Sequence, residues 1–185
     1  MYRMGEPEVK RIRKLIHSGR MFRYGAGGEC ERFEADWSKY VGSKYTRMTN
    51  SGTSALYASL VGVGIGPGDQ VIVPSYTYMA TALAVVAAGA IPVVADVDDS
   101  LTLSPPDVER RLTKYTRAIL PVHMNGLPCN MDRLLRIARK NDLLVVEDAC
   151  QAVGGGYKGR MLGSIGHAGG FSFNFFKNMS AGEGG

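Results

Sequence analysis

A lysine stands inside an apolar and aromatic run in FSFNFFKNMSAGEGG, residues 171–185. Lysine is almost never fully buried unless paired, and its stem usually lies along apolar surface with the ammonium in water. Read that way, Lys177 is a solvated surface charge. The other reading is an amine held in a pocket. Desolvation lowers its pKa and frees it to attack a carbonyl carbon. What else the chain sets at comparable places weighs one reading against the other.

Three further stretches carry residues that could share a ligand with Lys177. In NSGTSAL, Ser51, Gly52 and Thr53 open a helix. Free N–H groups at a helix start, with a hydroxyl, bind phosphate or carboxylate. An ordinary N-cap would use the same residues. In YTYMAT, Tyr76 and Tyr78 could cover a planar ligand, or act as core or staple residues at a helix start. In LLVVEDACQAVGG, Asp148 ends an apolar run with no arginine or lysine beside it in sequence. A buried carboxylate needs a partner or takes up a proton. It could cap the next turn, or hold a protonated ring nitrogen. Gln151 follows within one turn, and Ser172 precedes Lys177. Anion site, aromatic cover, carboxylate, hydroxyl and amine are the parts that pyridoxal phosphate requires.

These residues must be positioned by a scaffold. EPEVKRIRKLIHSG puts Val9, Ile12, Leu15 and Ile16 on one helical face, with Gly19 past its end. CERFEADWSKYVG predicts a second helix with Phe33, Trp37 and Tyr40 toward the core. YTRMTN reads as a short strand before the SGT helix. Apolar strands follow in QVIVP, IPVVADV, TRAILPVH and LLVVEDA, with GGFSF as the last. Between them lie the helices TYMATALAVVAAGA, SPPDVERRLT (Ser104 as N-cap, prolines in its first turn) and NMDRLLRIARKND. Alternating helices and apolar strands predict an α/β fold with a mostly parallel sheet flanked by helices. In such sheets ligands bind beyond the carboxyl ends of the strands, where the singled-out residues fall.

Composition sets the class. The chain has 185 residues, 45% hydrophobic and 21% charged, as in one globular domain. The formal charge of +5 is modest and spread over helix faces, without the basic and aromatic blocks of a nucleic-acid binder. No apolar run reaches membrane-span length, and the N-terminus lacks a signal-peptide core. Cys30, Cys129 and Cys150 form no CxxC pair, which fits a reducing compartment without disulfides or a zinc site. The expected location is cytoplasmic.

NSGTSAL, GPGDQVIVPSYTYMAT, VVEDACQAVGG, YKGRMLGSIG and FSFNFFKNMSAGEGG, in this order, resemble the DegT/DnrJ/StrS-type sugar aminotransferases. These are pyridoxal-phosphate enzymes of the aspartate-aminotransferase fold. The resemblance implies that Lys177 forms the Schiff base, that Asp148 partners the pyridine nitrogen and that Tyr78 stacks on the ring. It implies Gln151 near the phenolic oxygen, with Gly52, Thr53 and Ser172 holding the phosphate. Lys177 would then act as nucleophile and proton carrier, with Asp148 as the second catalytic group. Glutamate or glutamine is the implied donor, a keto-sugar the acceptor and a homodimer the assembly.

Two histidines stand apart. His167 occupies a position where the family usually carries Asp, and a local structural role is expected. His123, in PVHMNG, matches a common family residue without an assigned role. Family members are about twice this long, so residues 1–185 are expected to be the large cofactor-binding domain, incomplete, without the small C-terminal domain. A nucleotide-linked hexose is the favoured acceptor. MFRYG, SLTLSP and VHMNG also resemble the subgroup that makes an 8-amino octulosonate, and cyclitol ketones are a further choice. A plain phosphate-binding module and an inactive truncated relative remain the rival readings.

Overall fold

The computed structural model describes residues 4–21 and 27–185. Most of MFRYG therefore lies outside the described residues. The chain divides into two compact units, residues 1–48 and 49–185.

The first unit holds α1 (Glu6–Ser18) and α2 (Glu29–Val41). α1 ends at Gly19, whose φ of 65° is the left-handed conformation that a glycine cap supplies. The apolar residues of α1 fall on one face as expected, yet Val9, Ile12 and Ile16 stand exposed. On α2, Trp37 is buried and stacks with Phe33 at 5.6 Å. Tyr40, expected in the core, is 53% exposed and leans on Trp37 at 5.4 Å. The phenol keeps its hydroxyl in water while the ring covers the indole. Glu34 is buried, accepting from Met48 N at 2.8 Å and from Arg47 at 3.1 Å.

In the second unit, α3 (Gly52–Gly62) is followed by β1 (Gln70–Pro74), α4 (Ala80–Ala87), β2 (Ile91–Ala95), α5 (Pro105–Arg111), β3 (Thr116–Ile119), α6 (Met131–Lys140) and β4 (Leu144–Asp148). A hairpin, β5 (Gly156–Tyr157) and β6 (Arg160–Met161), leads to β7 (Ala168–Gly170). The five-stranded sheet has the order β2-β1-β3-β4-β7, and every pairing in it is parallel. The hairpin was not foreseen. Its turn residues Lys158 and Gly159 have φ of 50° and 80°, as a two-residue hairpin turn of matching twist requires.

Alternation along the strands builds two packed layers. Val71, Val73, Leu120 and Val146 meet Leu56 and Leu60 of α3 and Val85 of α4 in one core. Ile72, Ile119 and Val145 alternate to the other face, and α6 packs against β3 and β4. Each of these fully buried aliphatic side chains is worth about 1.5–3 kcal/mol relative to exposure. Among the described residues no helix is long and apolar enough to cross a membrane.

Two strand expectations need correction. Residues 45–50 form no strand. Only Thr49 finds a partner for a two-way exchange: it accepts from and donates to Gly185 at 3.1 and 2.7 Å. GGFSF leaves the ladder early. β7 ends at Gly170, and Phe173 N donates instead to Gly184 O at 2.9 Å. Phe171, Ser172 and Phe173 stay buried while the backbone turns away from β4.

Candidate active site

The carboxyl ends of β1, β4 and β7 and the start of α3 surround a cavity of about 450 Å³. Its walls include Gly52, Thr53, Tyr78, Asp148, Gln151 and Ser172, together with Lys177. Of the residues singled out for cofactor chemistry, all reach this one space except Tyr76.

The floor of the site follows from β4. Asp148 and Val146 lie two residues apart and so share the face covered by α3 and α4. Asp148 is 5% exposed. Thr81 donates to its Oδ2 at 2.7 Å, and Cys150 N donates to its Oδ1 at 3.1 Å. The turn-capping role and an open carboxylate thus coexist: each oxygen keeps a lone pair after these two bonds. Both partners are neutral, so the carboxylate keeps its affinity for a cation. Cys150 lines the same wall. Burial, then the neighbouring Asp148 carboxylate, pushes its thiol well above the ordinary range, and Lys177 only partly opposes this. Cys150 therefore stays a neutral thiol and does not compete as a nucleophile.

The anion end is built by α3. Ser51 is a true N-cap: its Oγ accepts from Ser54 N at 3.1 Å. That leaves N–H groups at the first residues of the helix free to face a ligand. Gly52 allows the close approach. A Cβ there would lie 2.7 Å from Ser172 Cβ and 2.9 Å from Cys150 Sγ. Ser172 is buried, and its Oγ accepts from Asn174 N at 3.4 Å, leaving its proton for an anion.

At the mouth, Tyr78 is 71% exposed and precedes α4. Lys177 is half-buried, and it also borders a second cavity beside Asn125 and Asn178. The Gln151 side chain is oriented by its Oε1, which accepts from Asn125 N at 3.1 Å. Its NH2 is left as the donor. Asn125 holds φ of 54°, a left-handed backbone that asparagine tolerates.

Sequence reasoning missed three supports. Thr81 is fully buried and carries no motif signal beyond its place in YTYMAT. Asn174 Nδ2 donates to Glu183 Oε1 at 2.7 Å, and both line the cavity. The third is a pair beneath the site, of which the sequence singles out His123 without a role and Glu147 not at all. His123 Nε2 and Glu147 Oε2 are 2.9 Å apart, both at 0% exposure. Glu147 also accepts from Gly163 N at 2.9 Å and from Ile165 N and Gly166 N at 2.6 Å. His123 Nδ1 accepts from Cys129 N at 3.2 Å, so the ring proton sits on Nε2 and is donated to Glu147. Burial alone would push the Glu147 carboxyl up; the hydrogen bonds from His123, Gly166 N and Gly163 N outweigh it and hold it low. His167 acts locally, as expected: Val145 N donates to its Nδ1 at 2.9 Å, and its own N donates to Val145 O at 2.8 Å.

Comparison with known proteins gives a consistent result. The sequence matches the DegT/DnrJ/EryC1/StrS aminotransferase family over residues 3–185. It is 47% identical over 176 residues to dTDP-3-amino-3,4,6-trideoxy-alpha-D-glucose transaminase of Streptomyces venezuelae, covering 94% of this chain and 46% of that one. The structure of an aminotransferase from Psychrobacter cryohalolentis superimposes with a TM-score of 0.94 at 39% identity, covering 98% of this chain and 46% of that one. NtdA of Bacillus subtilis, solved with bound cofactor PMP, gives a TM-score of 0.83 at 33% identity, with 96% and 40% covered. The chain spans about half the length of the curated relatives it matches. On these grounds the chain belongs to the DegT/DnrJ/EryC1/StrS aminotransferase family.

Proposed function

We propose that the protein is a pyridoxal-phosphate-dependent aminotransferase. It moves an amino group from glutamate or glutamine to a keto-sugar, with a nucleotide-linked hexose favoured. One observation carries this reading: Lys177 and the buried Asp148 border the same cavity as the N-terminus of α3. A phosphate-binding module would need the helix start but neither the amine nor the carboxylate. The PMP found in NtdA is the aminated form of the same cofactor, and the dTDP-linked sugar in the name of the Streptomyces relative supports the substrate class.

The residues present fit this cofactor. The phosphate would rest on Gly52, Thr53 and Ser172, where the free helix N–H groups and the Ser172 proton are available. Asp148 would hold the ring N–H through a free lone pair, Gln151 would donate to the phenolic oxygen, and Tyr78 would cover the ring. When bound, pyridoxal phosphate supplies an aldehyde that condenses with amines and a ring that accepts electrons from the adjacent carbon. Asp148 would favour a protonated ring nitrogen. Lys177 Nζ would hold the cofactor through its aldehyde carbon and would take and return the proton at the substrate carbon. Residues 1–185 are assigned to the cofactor-binding large domain, and the reading includes a cytoplasmic homodimer.

Borohydride reduction after incubation with pyridoxal phosphate, followed by peptide mapping, tests this. The label is expected on Lys177 with a new visible absorption band before reduction. Lys177→Ala should lose band and label while keeping affinity for inorganic phosphate. A wild-type protein that binds phosphate but takes no label would be a binding module instead.

A further inference from the structure

We infer that Thr81 is a positioning residue that fixes the Asp148 carboxylate for the ring nitrogen, through a hydroxyl chain that begins at Thr77. This rests on the cofactor reading above and adds a residue to it.

Thr81 is fully buried in the first turn of α4, and its Oγ1 lies 2.7 Å from Asp148 Oδ2. Helical threonines commonly turn the hydroxyl back onto a carbonyl one turn earlier. Here the hydroxyl reaches across the sheet to Asp148. An ionised carboxylate only accepts, so the single Thr81 proton points at Asp148. Thr77 Oγ1 lies 2.7 Å from Thr81 Oγ1 and 3.3 Å from Tyr78 O; with the Thr81 proton committed, the shorter contact takes the Thr77 proton, and Thr77 is the donor. Two hydroxyls in series polarise each other toward the carboxylate. The branched side chain of Thr81 is stiff at χ1, which fixes the direction of its bond.

The geometry constrains Asp148. With Cys150 N on Oδ1 and Thr81 on Oδ2, the carboxylate plane is held in one orientation. Thr81 is tied in turn to the ring-covering residue, since its N–H donates to Tyr78 O at 3.0 Å. One turn of chain therefore sets both the aromatic cover and the charge that faces the ring nitrogen.

The test compares equilibrium binding of pyridoxal phosphate with that of its 1-deaza analogue, in which C–H replaces the ring nitrogen. Only the first can use Asp148, so the ratio of the two dissociation constants reads the ring-nitrogen contact and not general stability. The wild-type protein should prefer pyridoxal phosphate. Thr81→Val, which keeps shape and loses the hydroxyl, should cut that preference by about tenfold, and Thr81→Ser should restore it. Should Thr81→Val fail to fold, Thr77→Val at the half-buried end of the chain should lower the ratio in the same direction. A ratio unchanged in the folded valine variants would overturn the role of Thr81 while leaving Asp148 as the nitrogen partner. A wild-type ratio of one would overturn both.

Discussion

The sharpest constraint at the residue scale is the missing side chain of Gly52. Alanine there would put a Cβ 2.7 Å from Ser172 Cβ and 3.2 Å from Phe171 O, and neither belongs to the free end of a flexible side chain. Overpacking of this kind costs about 1–3 kcal/mol. It would also part the helix start from Ser172, the two halves of the anion site. Gly52→Ala should therefore lower cofactor affinity at least about tenfold and lower the melting temperature, both measurable on one preparation. Affinity at the wild-type level would mean that the close approach is unnecessary. Residues of this class were legible in the sequence because glycine, lysine and aspartate stand out against apolar surroundings. Thr81 was not, since a threonine among alanines in a helix carries no such contrast. Its role depends on a contact between residues 81 and 148, which only the folded sheet creates.

At the scale of elements, the pair beneath the sheet sets how β4 and β7 lie together. Glu147 gathers three N–H groups from residues 163–166, the segment that enters β7, and β7 leads on to Ser172 and Lys177. Side chains alternate along β4, so Asp148 serves the ligand face while Glu147 serves the opposite one. A buried donor left without its acceptor costs about 1–3 kcal/mol, and Glu147→Ala, which strands His123 Nε2–H and three backbone N–H groups, should lower stability by at least that much in denaturant unfolding. The pH dependence has a definite sign. The folded carboxyl titrates below its ordinary value of 4.5. Its contribution is thus complete above that value and is lost as pH falls through the lower, folded value. The stability gap between wild type and Glu147→Gln should shrink as pH falls below about 4.5. A gap that widens there would contradict a depressed Glu147. The parallel sheet itself was readable from its apolar runs, as were the caps of α1 and α3. The ends of elements were not. Whether 45–50 or 171–173 joins a ladder depends on which backbone lies alongside, and Gly184 and Gly185 take those partners.

The whole molecule contains two compact units, and every residue of the cavity belongs to residues 49–185. A ligand that binds only the native state stabilises it in proportion to the logarithm of its concentration over its dissociation constant, about 2.7 kcal/mol at a hundredfold excess. For a chain of this size that raises the melting temperature by roughly 5–10 °C. Pyridoxal phosphate should produce this shift in the transition of residues 49–185, and any separate transition of the first unit should stay in place. Inorganic phosphate should give a smaller shift, because it engages the helix start but not Asp148 or Lys177. Lys177→Ala should keep the phosphate part and lose the remainder. Differential scanning calorimetry across a cofactor series separates these cases. Equal shifts from phosphate and from the cofactor would mean that the amine and the carboxylate add nothing to binding, and the protein would then be a phosphate module on an aminotransferase scaffold.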